Sequence, residues 1–175
     1  MSNQNPVGNG QAAGTPAQPS AAQLTIHKIY LKDASFEVPG GAQVFQEQGQ
    51  PQFKLELNQR VERISDDTFE VVLGVTLTCE LAEKVVFLAE IKQAGIFGLA
   101  GFDERGLQSV LGTYCPQTLF PYARSIISEL VMNGGFPPFV LQPINFDQLF
   151  AEQMRRRSEE QAAGSPAQAP ADSSN

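Results

Sequence analysis

One histidine, two cysteines and few basic residues leave this chain of 175 residues, net charge −7, with little equipment for catalysis or for nucleic acid. The sole histidine, His27, has no local Ser or Cys and orienting acid, so a histidine-based nucleophile has no partner set. A tetrahedral zinc site wants about four ligands, usually Cys and His, and these are too few. Cys79 and Cys115 stand far apart with no C-x-x-C, which fits a reducing cytoplasm better than a disulfide scaffold. The longest uncharged apolar stretch, AGIFGLAGF at 94–102, is too short and glycine-broken to cross a bilayer. The first residues carry no basic cluster followed by an apolar run, so no signal peptide is expected. Residues 24–150 hold nine Lys/Arg against fifteen Asp/Glu, and the only basic run, Arg155–Arg157, is followed by Glu159 and Glu160. A phosphate-binding face is absent, and basic or apolar partners are favoured.

Residues 1–23 and 158–175 are poor in branched aliphatics and rich in Gly, Ala, Pro, Ser, Asn and Gln. Such segments bury too little apolar surface to offset chain ordering, so both are expected to be disordered tails around one domain at 24–157. Within it, LTIHKIYLKDASFEV (24–38) reads as a strand ended by PGG, and 42–50 as a connection longer than a hairpin needs. FKLELNQRVE and FEVVLGVTLTCE alternate cleanly around an SDDT turn, and KVVFLAEIKQAGIF follows a turn at 81–83. These are four strands of an antiparallel sheet with one face buried. From Leu107 the apolar period becomes helical through Val131, with a kink or break expected near 115–121 at Pro116 and Pro121 and a stop at Gly134-Gly135. A last helix is expected from Asn145, with Asp147 at its positive end. The fold class is α+β.

The glycines of GIFGLAG match neither G-x-G-x-x-G nor a P-loop and read as a tight apolar turn. Asp66-Asp67 are explained by their turn, and Cys115 has no adjacent cation to lower its pKa. Two features survive. GGFPPFVLQPINFDQLF (134–150) holds four phenylalanines and three prolines beside one charge, and strand four sets Val86 and Leu88 on a face with Glu90 and Lys92. Apolar groups on both faces of a strand suggest that the second face is also covered, by a loop or by another subunit.

The order of IYLKDASFEVP (29–39), VFQEQGQP (44–51), FLAEIKQAGIF (87–97), LGTYCPQTLFPYAR (111–124) and the 134–150 segment resembles the SecB family of bacterial protein-export chaperones. The resemblance implies a cytosolic, non-enzymatic holdase without nucleotide, metal or other cofactor. It would bind unfolded precursors, keep them translocation-competent and pass them to the motor SecA. Assembly as a homotetramer, a dimer of dimers, is implied too. SecA-contacting positions fall on Asp33, Glu37, Leu88 and Glu90, and tetramer positions on Ala89, Ile91 and Gln93. A groove for extended polypeptide is implied at Val44, Phe45, Phe136, Phe139, Leu141 and Phe150. Where family members carry a tryptophan before the Gln-Pro of the connection, this chain has Gly49, and it has no tryptophan at all. The rival expectation is an acidic adaptor holding one folded partner; an enzyme built on Cys115 stands last.

Overall fold

The computed structural model describes residues 21–163. The tails expected at 1–23 and 158–175 therefore lie mostly outside the described residues. Four strands, β1 (Gln23–Glu37), β2 (Gln52–Ser65), β3 (Thr68–Leu81) and β4 (Lys84–Ala100), form one antiparallel sheet in the order β1-β4-β3-β2. The helices α1 (Glu104–Gly112), α2 (Tyr114–Asn133) and α3 (Phe146–Ala163) follow. The α+β architecture expected from the change in period is the one observed.

Both hairpins are short because their turns are local. Ala82 and Glu83 turn β3 into β4 with positive φ, the left-handed conformation such two-residue hairpins require. Since β1 pairs with β4, the chain between β1 and β2 must cross one end of the sheet, and it does so through a 3-10 turn at Gly41–Gln46. That crossing carries Val44 and Phe45 to the end of the sheet where α2 finishes.

The core lies between the β3–β4 hairpin and α2. Val71, Leu73, Val75, Leu77 and Cys79 of β3 alternate inward beside Phe87, Ala89, Ile91, Gln93 and Phe97 of β4. Against them α2 buries Cys115, Leu119, Ala123, Ile127 and Val131, spaced four apart so that they form one row along the helix. At Gly95 a Cβ would come within 2.9 Å of Leu119 Cδ2 and 2.6 Å of the Phe97 ring, so glycine lets the helix approach the strand here.

Four expectations need correction. Gly95 and Gly98 lie inside β4 rather than in a turn; only Gly101, at φ 74°, turns the chain. The helical region breaks at Thr113, not within 115–121. Pro116 sits in the first turn of α2, where a missing N–H costs little, and Pro121 stays within the helix. A register shift between Cys79 and Glu80 slips β4 by one residue, so Val86 is buried although it neighbours the inward Phe87. Finally α3 continues to Ala163, past the boundary expected at 158, with Arg155 Nε 3.9 Å from Glu159 Oε1 in an i,i+4 pair. Asn145 does cap this helix, accepting from the Gln148 N–H at 3.0 Å.

Leu119 is fully buried between α2 and β4, so Leu119→Ala should cost about 2–5 kcal/mol, read as a lower urea midpoint with an unchanged slope.

Candidate functional site

After α2, Gly134 caps the helix and Gly135 turns the chain at φ 86°. Pro137 and Pro138 then supply no N–H donors, so the segment cannot join the sheet as a strand. It crosses the sheet end as irregular chain and lays its rings inward. Phe136 lies 4.8 Å from Phe87 and 5.0 Å from Phe45, stacked on the latter; Phe139 lies 4.4 Å from Phe53. Phe36 adds a stacked contact with Phe87 at 5.4 Å. Of these rings Phe53, Phe87, Phe136 and Phe139, with Val44, Val86, Cys79, Leu81 and Val131, line an open cleft of about 410 Å³, and Phe36 and Phe45 stack on its walls. It is apolar but wet at its mouth: Phe45 is 55% exposed and Phe53 46%. Glu47, 3.7 Å from Lys84, stands at the rim.

A second cleft, of about 750 Å³, opens toward the other end of β2. Leu57 and Val61 of β2, Leu111 of α1, and Phe146, Leu149, Phe150 and Met154 of α3 form its apolar wall, and Asn58, Gln59, Gln108, Gln153 and Arg157 its polar one. Phe150 reaches this place because Gly112 has no side chain; a Cβ there would lie 2.3 Å from the ring. Between the clefts, Leu55 lies exposed on the same face of β2 as Phe53, Leu57 and Val61. The apolar first cleft, this stripe and the mixed second cleft form one groove along the sheet margin.

The expected groove residues thus divide. Val44, Phe45, Phe136 and Phe139 come together. Phe150 belongs to the second cleft, and Leu141, 2% exposed, is core rather than groove. Its neighbour Val140 faces water instead. The sequence reading missed Phe36, Phe53 and Phe87, and took the β2 stripe as buried. Clean alternation signals a face to be covered; nothing in it says that β2 ends up at the margin of the sheet.

Asp33, Glu37, Leu88 and Glu90 share the opposite face, which no helix among the described residues covers. Glu37 lies directly across from Leu88, and Ser35 across from Glu90. Lys92 Nζ sits 2.8 Å from Asp33 Oδ2, and its ammonium holds the Asp33 carboxyl below its ordinary value. Ala89, Ile91 and Gln93 are buried beneath α2 in the chain's own core. The Gln93 Nε2 donates to the Tyr30 carbonyl at 2.9 Å, while its Oε1 has no partner among the described residues.

Burial pushes the Cys115 thiol up to about 12 and raises that of Cys79, opposite to what a nucleophilic thiolate needs. Among the described residues no three His, Cys, Asp or Glu side chains cluster as metal ligands, and no helix is long and apolar enough to cross a membrane. At about pH 8 the folded Cys115 thiol stays protonated as well as shielded. Ellman's reagent should therefore find little thiol in the native protein and both cysteines in denaturant; a fast-reacting native thiol would contradict this burial.

Residues 17–157 match the family model of SecB, preprotein translocase subunit SecB. The chain is 52% identical to the protein-export protein SecB of Xylella fastidiosa over 159 residues, covering 91% of this chain and 92% of that one. It is 51% identical to that of Stenotrophomonas maltophilia, covering 88% and 89%. Among solved structures it is similar to a SecB-like chaperone of Mycobacterium tuberculosis in complex with a peptide from an antitoxin. The TM-score is 0.56 at 21% identity, over 70% of this chain and 91% of that one, a likeness of fold. With nine-tenths of its length matched at about half identity, the chain belongs to the SecB family.

Proposed function

We propose that this chain is a protein-export chaperone that captures unfolded secretory precursors in the groove along β2, keeps them translocation-competent and delivers them to SecA. The observation that carries the reading is the groove itself: an apolar cleft and a mixed one joined by an apolar stripe, with Phe45 and Phe53 half in water. A monomeric fold gains nothing from leaving Phe45 and Phe53 so exposed unless something greasy visits them. Unfolded chains offer aromatic and aliphatic side chains in extended backbone, and the net charge of −7 favours segments that also carry Lys or Arg. Capture and release need no covalent chemistry, in keeping with the buried thiols, and the family membership supports both the export role and a cytoplasmic site of action.

Docking to SecA is assigned to the acidic outer face at Asp33, Glu37, Leu88 and Glu90, on the opposite side of the sheet from the groove. Ala89, Ile91 and Gln93 act on assembly indirectly. Lying under α2, they seat the helix whose outer surface would meet another subunit in a dimer of dimers. A bulkier residue at Ala89 would lift α2 and loosen the tetramer.

Two substitutions test the separation of surfaces. Phe53→Ala combined with Phe139→Ala should weaken binding of an unfolded, fluorescently labelled precursor by about tenfold or more while leaving SecA binding intact. Glu90→Lys should do the reverse. Equal loss of both activities in either variant would contradict the assignment.

A further inference from the structure

Three carboxylates are assigned to SecA docking, and one of them already has a cation beside it. Along the outer face of β4 the order is Leu88, Glu90, Lys92, Ala94 and Ile96. Lys92 lies opposite Asp33 on β1 and opposite Gly74 on β3, which offers no side chain. Its ammonium donates to Asp33 Oδ2 at 2.8 Å. That hydrogen bond raises the Lys92 ammonium above its ordinary value, and the Glu90 charge adds to the shift. Among the described residues Glu37 and Glu90 have no ion pair, and Glu90 accepts from the Thr76 hydroxyl at 3.3 Å. The pairing of Lys92 depends on an irregularity of β1. Unshifted, a register with Leu31 opposite Gln93 would set Lys32 against Lys92. The shift between Leu31 and Asp33 brings a carboxylate there instead, and Lys32 reaches Glu70 at 2.7 Å.

We infer that Lys92 is the resident counterion of the docking face: it holds Asp33 in the free chaperone and is displaced when a basic segment of SecA docks. Lys92 thereby lowers the affinity for every basic segment and helps set which one is accepted. This rests on the docking assignment above and adds how that surface is regulated. The Asp33 and Lys92 side chains are each 59% exposed, so the pair stands in water and exchanges easily. A Lys or Arg arriving at Asp33 meets the Lys92 ammonium and must push it aside, because two cations on one carboxylate repel each other. Glu37 and Glu90 carry no such cation. The partner that gains most sets its own cations against Glu37 and Glu90 and an apolar side chain on Leu88, which lies directly across from Glu37. A basic segment without that apolar residue has nothing to offset the displacement of Lys92, and it is rejected. A partner offering carboxylates to Lys92 would instead meet Asp33, Glu37 and Glu90 as like charges.

The test uses the full-length protein and SecA, with affinity measured by titration calorimetry at several salt concentrations. Lys92→Gln should bind SecA about two- to fivefold more tightly and lose that gain as salt rises, while capture of an unfolded precursor stays at the wild-type level. Lys92→Arg should keep the wild-type affinity. Lys28→Gln, which removes the same charge at the far end of the outer face opposite Ile96, should change it little. In an Asp33→Asn background the gain from Lys92→Gln should shrink. Weaker binding by Lys92→Gln would make Lys92 a direct contact for SecA, and an equal gain from Lys28→Gln would make total charge the cause; either result overturns the proposal. An unchanged affinity of Lys92→Gln overturns it too, and Glu90→Lys then shows how far the failure reaches. If Glu90→Lys still weakens SecA binding, the docking surface stands and only the counterion falls; if it does not, both fall.

Discussion

The structure turns on a mismatch of widths. Four strands spaced about 4.8 Å apart make a sheet roughly 14 Å across, while one helix covers a strip of about 10 Å. α2 is the helix laid along the inner face, and its buried row rests on β3 and β4. The centre of the sheet is therefore sealed, with Val71, Leu77 and Ala89 fully inaccessible, while the margin is not. β2 has the same alternation as β3, yet Phe53, Leu55 and Val61 remain substantially exposed. The groove is what a one-helix cover leaves bare, and the later chain only partly roofs it. The proline segment closes over one end and α3 over the other.

That origin explains how a stable fold keeps apolar surface available. Most of the buried core lies in the β3–β4–α2 sandwich, and Cys79, Phe87 and Val131 of that core also form the floor of the first cleft. The capture surface is built from the margin strand plus segments that proline and glycine prevent from becoming regular cover. Gly49 takes part here. It lines the cleft near Leu81, and a Cβ at that position would lie 3.0 Å from Leu81 Cδ1. The outer face is set apart by the sheet itself, because antiparallel alternation sends Glu90 away from Ile91 and Phe87. The outer face and the groove are therefore separate surfaces of one sheet.

The sequence made the strands, the helical region and its stops legible because each rests on local chemistry: period two, period near four, the Gly134-Gly135 stop, the Asn145 cap. The break at Thr113 was not legible, since prolines drew attention to 115–121 while both fit within α2. The end of α3 was misjudged from composition. SEEQAA resembles the tail that follows it, but the helix begun by Phe146 continues through it, with Arg155 and Glu159 paired at i,i+4. The site was readable only in part. The 134–150 segment announced itself by rings and prolines in one place, whereas Phe36, Phe53 and Phe87 look like ordinary strand residues. They join the site through the β1-β4-β3-β2 order, which places them at one end of the sheet and which no local pattern encodes. Leu141 differs from Val140 only in which way irregular chain points it, and that too is decided by packing.

The central claim is that this surface distinguishes unfolded chain from folded protein. The direct measurement is light-scattering mass during gel filtration of the protein mixed with a secretory precursor, either diluted from denaturant or already native. The account predicts that the protein's own peak gains the mass of the unfolded precursor, and that native precursor elutes alone. A peak that gains native precursor, or that ignores the unfolded chain, would contradict it.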